Sequence, residues 1–274
     1  VDKVAFGPSP RASMRVPLYK RLAFLGALGV APQAPAFALP IPAIGYRGLP
    51  GGLAFAYQKS AGVEVNLPYK FSLRTVGFHH TYVNLRDFGR DRSKVDPTDV
   101  APPRGSPAQA YGLELFLNRK LSERFGAFAS YTLSRSEVGS TPTDAGGVAP
   151  FDRTHVLQFG GAADLGRGWR ASARLLMYSG WPTQEDAKAS NSASAAVNET
   201  AGLAGRLPTF TRVDARIEKR WPFRKAGYIS LVIEGLNVAG SRDVVGRRCD
   251  ASAVCHDEYF GPIIAPSIGV EGAL

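Results

Sequence analysis

Residues 111–135 read YGLELFLNRKLSERFGAFASYTLSR. Taken in steps of two, Tyr111, Leu113, Leu115 and Leu117 are large and apolar; Gly112, Glu114, Phe116 and Asn118 between them are mixed. The alternation resumes after Ser122-Glu123-Arg124, with Phe125, Ala127, Ala129, Tyr131 and Leu133 set against Gly126, Phe128, Ser130, Thr132 and Ser134. A period of two belongs to strands with one apolar face. A three-residue polar break between two such strands reads as a tight hairpin. Each arm holds about ten alternating residues, near the length that crosses a bilayer as a tilted β-strand. The stretch is therefore expected to be the repeating unit of an outer-membrane β-barrel.

The pattern recurs on both sides. Upstream, Leu53, Phe55, Tyr57, Ala61, Val63, Val65 and Leu67 share a face, and after Pro68-Tyr69-Lys70 the chain returns over Phe71 to Leu85. Downstream, strands are expected over Thr154 to Leu165, over Trp169 to Tyr178 after Gly166-Arg167-Gly168, over Phe210 to Lys219, from Ile229 to Glu234 and from Pro262 to Leu274. The start of the chain reads in two ways. Arg11 to Leu18 and Leu22 to Ala31 alternate like strands joined by Tyr19-Lys20-Arg21. From Met14 the same residues also read as a secretory signal, with an apolar core and Ala36-Phe37-Ala38 as cleavage site. Thirteen residues precede Met14, which favours strands.

The connections alternate between a few residues and roughly twenty, as in transmembrane barrels with short periplasmic turns and long external loops. A soluble sandwich also alternates along its strands, but it has shorter strands and no such asymmetry of loops. About eleven strands are expected, the first and last both running from loop side to turn side. A barrel with both termini on the turn side needs an even number, so the parity predicts further strands before Val1.

Composition narrows the function. The chain has 274 residues, 33 basic against 23 acidic, for a net charge of +10. That charge is scattered through turns, loops and alternate strand positions rather than gathered on one face, which argues against a nucleic-acid partner. Anionic lipid headgroups suit it better. Cys249 and Cys255 lie close together in a polar segment and are expected to close a small disulfide loop. The other reading, a metal site with His256 and Asp257, lacks the four convergent ligands usual for zinc. His79 and His80 are adjacent on a strand and point to opposite faces, and His155 begins a strand as a structural or interfacial residue. No Ser/His/Asp set or phosphate loop appears, so no catalytic residue, cofactor or metal is expected.

Charge also tests the lipid-facing assignment. Arg or Lys on that face costs roughly 2–4 kcal/mol at the bilayer midplane and little near the interfaces. Arg119 and Lys219 have that parity but lie near short turns, where they can snorkel, and Arg135 lies near a loop. Lys59 and His79 fall nearer mid-strand, and nothing in the sequence offsets them. On the opposite parity, Glu114, Arg170, Arg174, Arg212, Asp214, Arg216 and Glu218 are expected to line a lumen, chiefly as a mutually paired wall. Arg90, Arg92, Lys94 and Arg104, in a long external loop, are candidate contacts for an anionic ligand or for lipopolysaccharide.

Several segments resemble the barrels of TonB-dependent receptors. Phe151-Asp152-Arg153-Thr154-His155-Val156-Leu157 is similar to that family's DxxH strand start. Tyr178-Ser179-Gly180-Trp181-Pro182-Thr183 resembles its YxSGxPxT strand exit, and Arg206-Leu207-Pro208-Thr209-Phe210-Thr211-Arg212-Val213-Asp214-Ala215-Arg216 its RLPxYxRLDLR strand. Glu234-Gly235-Leu236-Asn237-Val238 loosely resembles VxNLFD. The resemblance implies an all-β, antiparallel up-and-down transmembrane barrel of 22 strands in the bacterial cell outer membrane. Residues 1–274 would be its C-terminal part, about half the wall. It further implies a receptor and transporter for TonB-dependent uptake of a scarce nutrient such as a siderophore, cofactor, glycan or peptide. The expected partners are outer-membrane lipid and lipopolysaccharide, a plug domain and barrel half outside this chain, the TonB system through that plug, and an unknown small solute. The alternative is a stand-alone passive channel or surface-binding barrel with its signal near residues 14–38. At the chain end, Ser267 and Gly269 fit the family's assembly signal, whereas Gly272 and Leu274 stand where it carries aromatics.

Overall fold

The structure is a computed structural model. It describes residues 6–33, 53–85, 106–122, 124–139, 147–149, 151–183, 205–223, 227–249 and 255–273. Its strands are β1 (Arg11–Tyr19), β2 (Leu22–Gln33), β3 (Ala54–Asn66), β4 (Phe71–Leu85), β5 (Ser106–Ser122), β6 (Phe125–Val138), β7 (Gly147–Val148), β8 (His155–Gly166), β9 (Trp169–Tyr178), β10 (Phe210–Phe223), β11 (Gly227–Leu236), β12 (Asp243–Cys249), β13 (Cys255–Phe260) and β14 (Ala265–Ala273). One sheet runs β1-β2-β3-β4-β5-β6-β8-β9-β10-β11-β14, each strand antiparallel to the next, and β7 adds a short pairing to β6. A separate hairpin joins β12 to β13.

The opening hairpin forms in the expected register, with Leu113 opposite Leu133 and Leu115 opposite Tyr131. Residues that also read as a secretory signal are instead wall: β2 pairs with β3 from Leu22↔Val65 to Gln33↔Ala54. The proposed cleavage site Ala36-Phe37-Ala38 lies outside the described residues. Several boundaries move. β5 starts at Ser106 rather than after Gln109, β10 continues past Lys219 to Phe223, and the segment between β11 and β14 holds a hairpin. In β5 and β10 cross-strand pairing continues beyond the point where side-chain alternation fades. Ladder hydrogen bonds depend on the backbone, and the alternating side chains only report them.

The strand ends that flank 20–21, 67–70, 123–124, 167–168 and 224–226 lie at one end of the sheet, and the strand ends that flank the longer intervals lie at the other. At 67–70 the chain turns through a single 3-10 turn, Pro68–Lys70. At 167–168 it turns through positive φ at Gly166, Arg167 and Gly168.

Register divides the sheet into two faces, and burial on them is opposite to that of a water-soluble domain. The apolar face carries Leu28, Leu113, Leu133, Phe159, Ile217, Ile229, Ile233 and Ile268, all exposed. Ile233, for example, is 49% exposed. The other face holds the buried polar side chains Asp214, Glu218 and Ser230, with Ser230 fully enclosed.

Aromatic and cationic side chains gather at the short-turn end. Lys219 donates to the Arg167 carbonyl at 2.6 Å and sits over the rings of Trp169 and Trp221. Arg119 donates to the carbonyls of Tyr69 and Phe125 and lies over the rings of Phe71 and Phe125. The two cations of apolar-face parity nearest the turns thus reach turn carbonyls, as a snorkelling side chain does.

Candidate functional site

Two constellations stand out: a charge ladder on the polar face, and a polar knot where strands leave the sheet for the long connections.

The ladder spans β8 to β14. Register sets Arg174 opposite Asp214, Arg170 opposite Glu218 and Arg216 opposite Glu234. Directly opposed side chains of unlike charge on one face are neighbours, and Arg174 pairs with Asp214 and Arg216 with Glu234, whereas Arg170 turns to Asp164 instead of Glu218. Arg174 grips Asp214 through Nε at 3.0 Å and Nη2 at 2.7 Å. Arg212 Nη2 reaches the same carboxylate at 3.2 Å, and the backbone N–H of Asn237 donates to it at 2.9 Å. Arg216 spreads over Glu234 at 3.3 Å, Glu271 at 3.0 Å and Glu218 at 3.7 Å. Arg220 donates to Glu218 at 2.9 Å, and Arg170 lies 3.7 Å from Asp164. Beside the ladder lies a trough of about 460 Å³ with Gly126, Gly160 and Ser172 among its lining residues. A Cβ on Gly160 would lie 2.4 Å from the Phe128 ring, so the ring rests on the bare backbone.

Of the seven lumen candidates, the structure therefore joins six in the ladder. Glu114 stands apart, between Val76 and Thr132 in the ladders of β4 and β6. Sequence reasoning missed Asp164, Arg220 and Glu271 as members. Asp164 and Glu271 share the polar parity of their strands, and Arg220 lies one residue beyond the expected end of β10.

The knot is assembled from the segments that carry the family resemblance. Asp152 is buried, and its carboxylate accepts from the Ser136 backbone N–H at 2.6 Å, from the Thr154 hydroxyl at 3.3 Å and from the Arg206 guanidinium. Arg206 also donates to the carbonyls of Asp152 at 3.0 Å and Gly180 at 3.2 Å. Arg153 donates to the Ser179 carbonyl at 3.1 Å and lies 3.7 Å over the Tyr178 ring. The Ser179 hydroxyl accepts the His155 N–H at 3.1 Å. Gly180 is required because a Cβ would meet the Leu207 carbonyl oxygen at 1.9 Å. The knot satisfies backbone groups where β8, β9 and β10 run out of partners. It is a fastening: among the described residues, none of its buried side-chain polar atoms lacks a hydrogen-bond partner.

His155 Nδ1 lies 2.8 Å from the Tyr131 hydroxyl, within the sheet. His79 stacks on Tyr111 on the apolar face, whereas His80 stands between Phe78 and Tyr82 on the polar one. Cys249 and Cys255 are Cα partners at the end of the β12–β13 hairpin. Asp257 there is held by Arg247 at 2.8 Å, and among the described residues no group of His, Cys, Asp and Glu is arranged to hold a metal ion. Arg90, Arg92, Lys94 and Arg104 lie outside the described residues.

No protein-family model and no curated protein matches the chain. Solved structures do. The ferric citrate transporter FecA in its unliganded form aligns with a TM-score of 0.63 and 15% identity, over 97% of this chain and 38% of that one. The ferric-catecholate import receptor Fiu of Escherichia coli K12 aligns at 0.61 and 12%, over 96% of this chain and 34% of that one. The ferric yersiniabactin uptake receptor FyuA of Yersinia pestis aligns at 0.57 and 12%, over 96% and 36%. The chain thus spans between 34% and 38% of the length of these receptors. Across nearly all of its own length the chain shares its fold with part of each of these three ferric-chelate import proteins.

Proposed function

We propose that the chain is part of the wall of a bacterial outer-membrane receptor for energised, TonB-dependent uptake of a scarce nutrient. The inverted burial carries this reading: isoleucine, leucine and phenylalanine are exposed on one face, while charged side chains pair on the other. Hydrocarbon on the apolar side makes that arrangement favourable. The apolar face then meets lipid and lipopolysaccharide, and the ladder from Arg170 to Glu271 faces the lumen. Its charges are mostly spent on one another, so it acts as a polar, low-affinity wall. A plug and further strands complete the pore, and the plug carries the contact with TonB. Ligand capture falls to the external loops, Arg90, Arg92, Lys94 and Arg104 among them. The iron cargo of the similar receptors makes a ferric chelate the first solute to try. Cys249 and Cys255 form a disulfide that closes the tip of the β12–β13 hairpin in the oxidising space outside the inner membrane.

The test is uptake of a labelled ferric siderophore by cells with and without the gene. Transport that disappears with the gene and with a proton uncoupler supports this reading. Gene-dependent, uncoupler-resistant diffusion of several unrelated small solutes would replace it with a passive channel.

A further inference from the structure

Lys59 is a lysine on the face that the reading above assigns to lipid, and among the described residues it has no ion-pair or hydrogen-bond partner. It stands in one row with Leu28, His79, Tyr111 and Arg135, read across β2 to β6. Arg135 lies 3.7 Å from Glu137, whose carboxylate also accepts from Gln109 and Tyr111. That carboxylate is therefore committed, and Lys59 is left as uncompensated positive charge. An ionisable side chain in a membrane-facing position is costly and marks a functional site by default.

Directly below the row the sheet is hollow. Ala61 and Gly77 are opposed across β3 and β4, and Leu113 follows on β5. A Cβ on Gly77 would find nothing closer than backbone oxygens at 3.9 Å, so the floor is open. Leu28, Leu113 and Leu133 wall this groove of about 770 Å³, and Lys59, His79 and Arg135 rim it. A cationic rim above an apolar slot fits an anionic head with a hydrocarbon tail. Height agrees. Lys59 lies seven residues from Asn66, the turn-side end of β3. At about 3.3 Å per residue and a tilt of about 40°, that is roughly 18 Å into an apolar band about 25 Å tall. The lysine then reaches the outer headgroups by snorkelling.

We propose that this groove holds one phosphate-bearing lipid of the outer leaflet, an acyl chain over Ala61 and Gly77 and a phosphate against Lys59, with Arg135 and His79 at the rim. The inference rests on the outer-membrane reading of the chain. Its test is native mass spectrometry of the protein extracted from outer membranes in mild detergent, with lipid A and dephosphorylated lipid A as the two probes. Lys59→Gln is expected to lower retained lipid A at least about tenfold, the scale of one charge-assisted contact. Gly77→Leu, which fills the slot without touching a charge, lowers it at least about threefold. Arg74→Gln, on the opposite face, changes it by less than about twofold, and dephosphorylated lipid A is retained poorly by all forms. Equal retention by wild type, Lys59→Gln and Gly77→Leu overturns the site. So does equal retention of the two probes by wild type. Flotation of the same proteins with vesicles is read in parallel. A chain that does not float overturns the membrane reading itself, whereas a chain that floats without lipid selectivity overturns only this inference.

Discussion

Asp152 and Arg206 show what single residues do here. The carboxylate has no solvent exposure, the guanidinium almost none, and between them they anchor backbone from three strand ends. Removing one partner of such a pair leaves a buried charge uncompensated, which costs about 3–5 kcal/mol. Asp152→Ala is therefore expected to destabilise the folded chain by that amount, read as a lower urea midpoint of its β-sheet circular dichroism. An unchanged midpoint would show that the knot fastens nothing. The motif FDRTH was legible in the sequence, as a resemblance. Its purpose was not, because Asp152, Ser136, Gly180 and Arg206 meet only after the long connections have folded back. Lys59 is the converse case. Its parity was legible and marked it as misplaced, but the open floor at Gly77 beside it is a property of three strands packed together.

At the scale of elements, turns and loops placed strands even where the side-chain pattern was weak. β4 alternates only weakly, yet it begins and ends at Phe71 and Leu85, as its flanking turn and loop predicted. The alternation in β10 is sharp up to Lys219, yet Arg220 to Phe223 still pair with β11, because proline at 222 interrupts the side-chain pattern without stopping the strand. The β12–β13 hairpin was read as a cysteine loop. Its pattern, DVVGRRC and CHDEYF, is charged and short, and a register shift between Val244 and Gly246 breaks its period. The hairpin makes the disulfide testable, since Cys249 and Cys255 are cross-strand partners. Alkylation of the denatured, unreduced protein is expected to leave both cysteines unlabelled, and labelling of both to follow reduction. Label on both before reduction would mean that they are free thiols.

For the whole molecule the decisive property is direction. β1 runs into a short turn, and β14 follows a long connection, so both edge strands run toward the short-turn end. Among the described residues neither has a partner on its outer side. In hydrocarbon such an edge costs several kcal/mol for each unpaired backbone group. An antiparallel closure between two strands of the same direction takes an odd number of further strands, and two copies of this sheet side by side would meet in parallel. A larger wall of which this sheet is one part satisfies the constraint. The sequence held this parity in its loop lengths, since the count of strands and the side of each turn were legible without any side-chain contact.

The central claim, that the apolar face meets lipid and the charged face meets water, is tested most directly along the opening stretch. Single spin labels at successive positions from Tyr111 to Asn118, with the protein in lipid vesicles, report collision with oxygen, which concentrates in hydrocarbon, or with a water-soluble nickel chelate. A period of two is expected: oxygen dominates at 111, 113, 115 and 117, and the chelate at 112, 114, 116 and 118. Equal accessibility of both sets to the chelate, or oxygen maxima at the even positions, would contradict it.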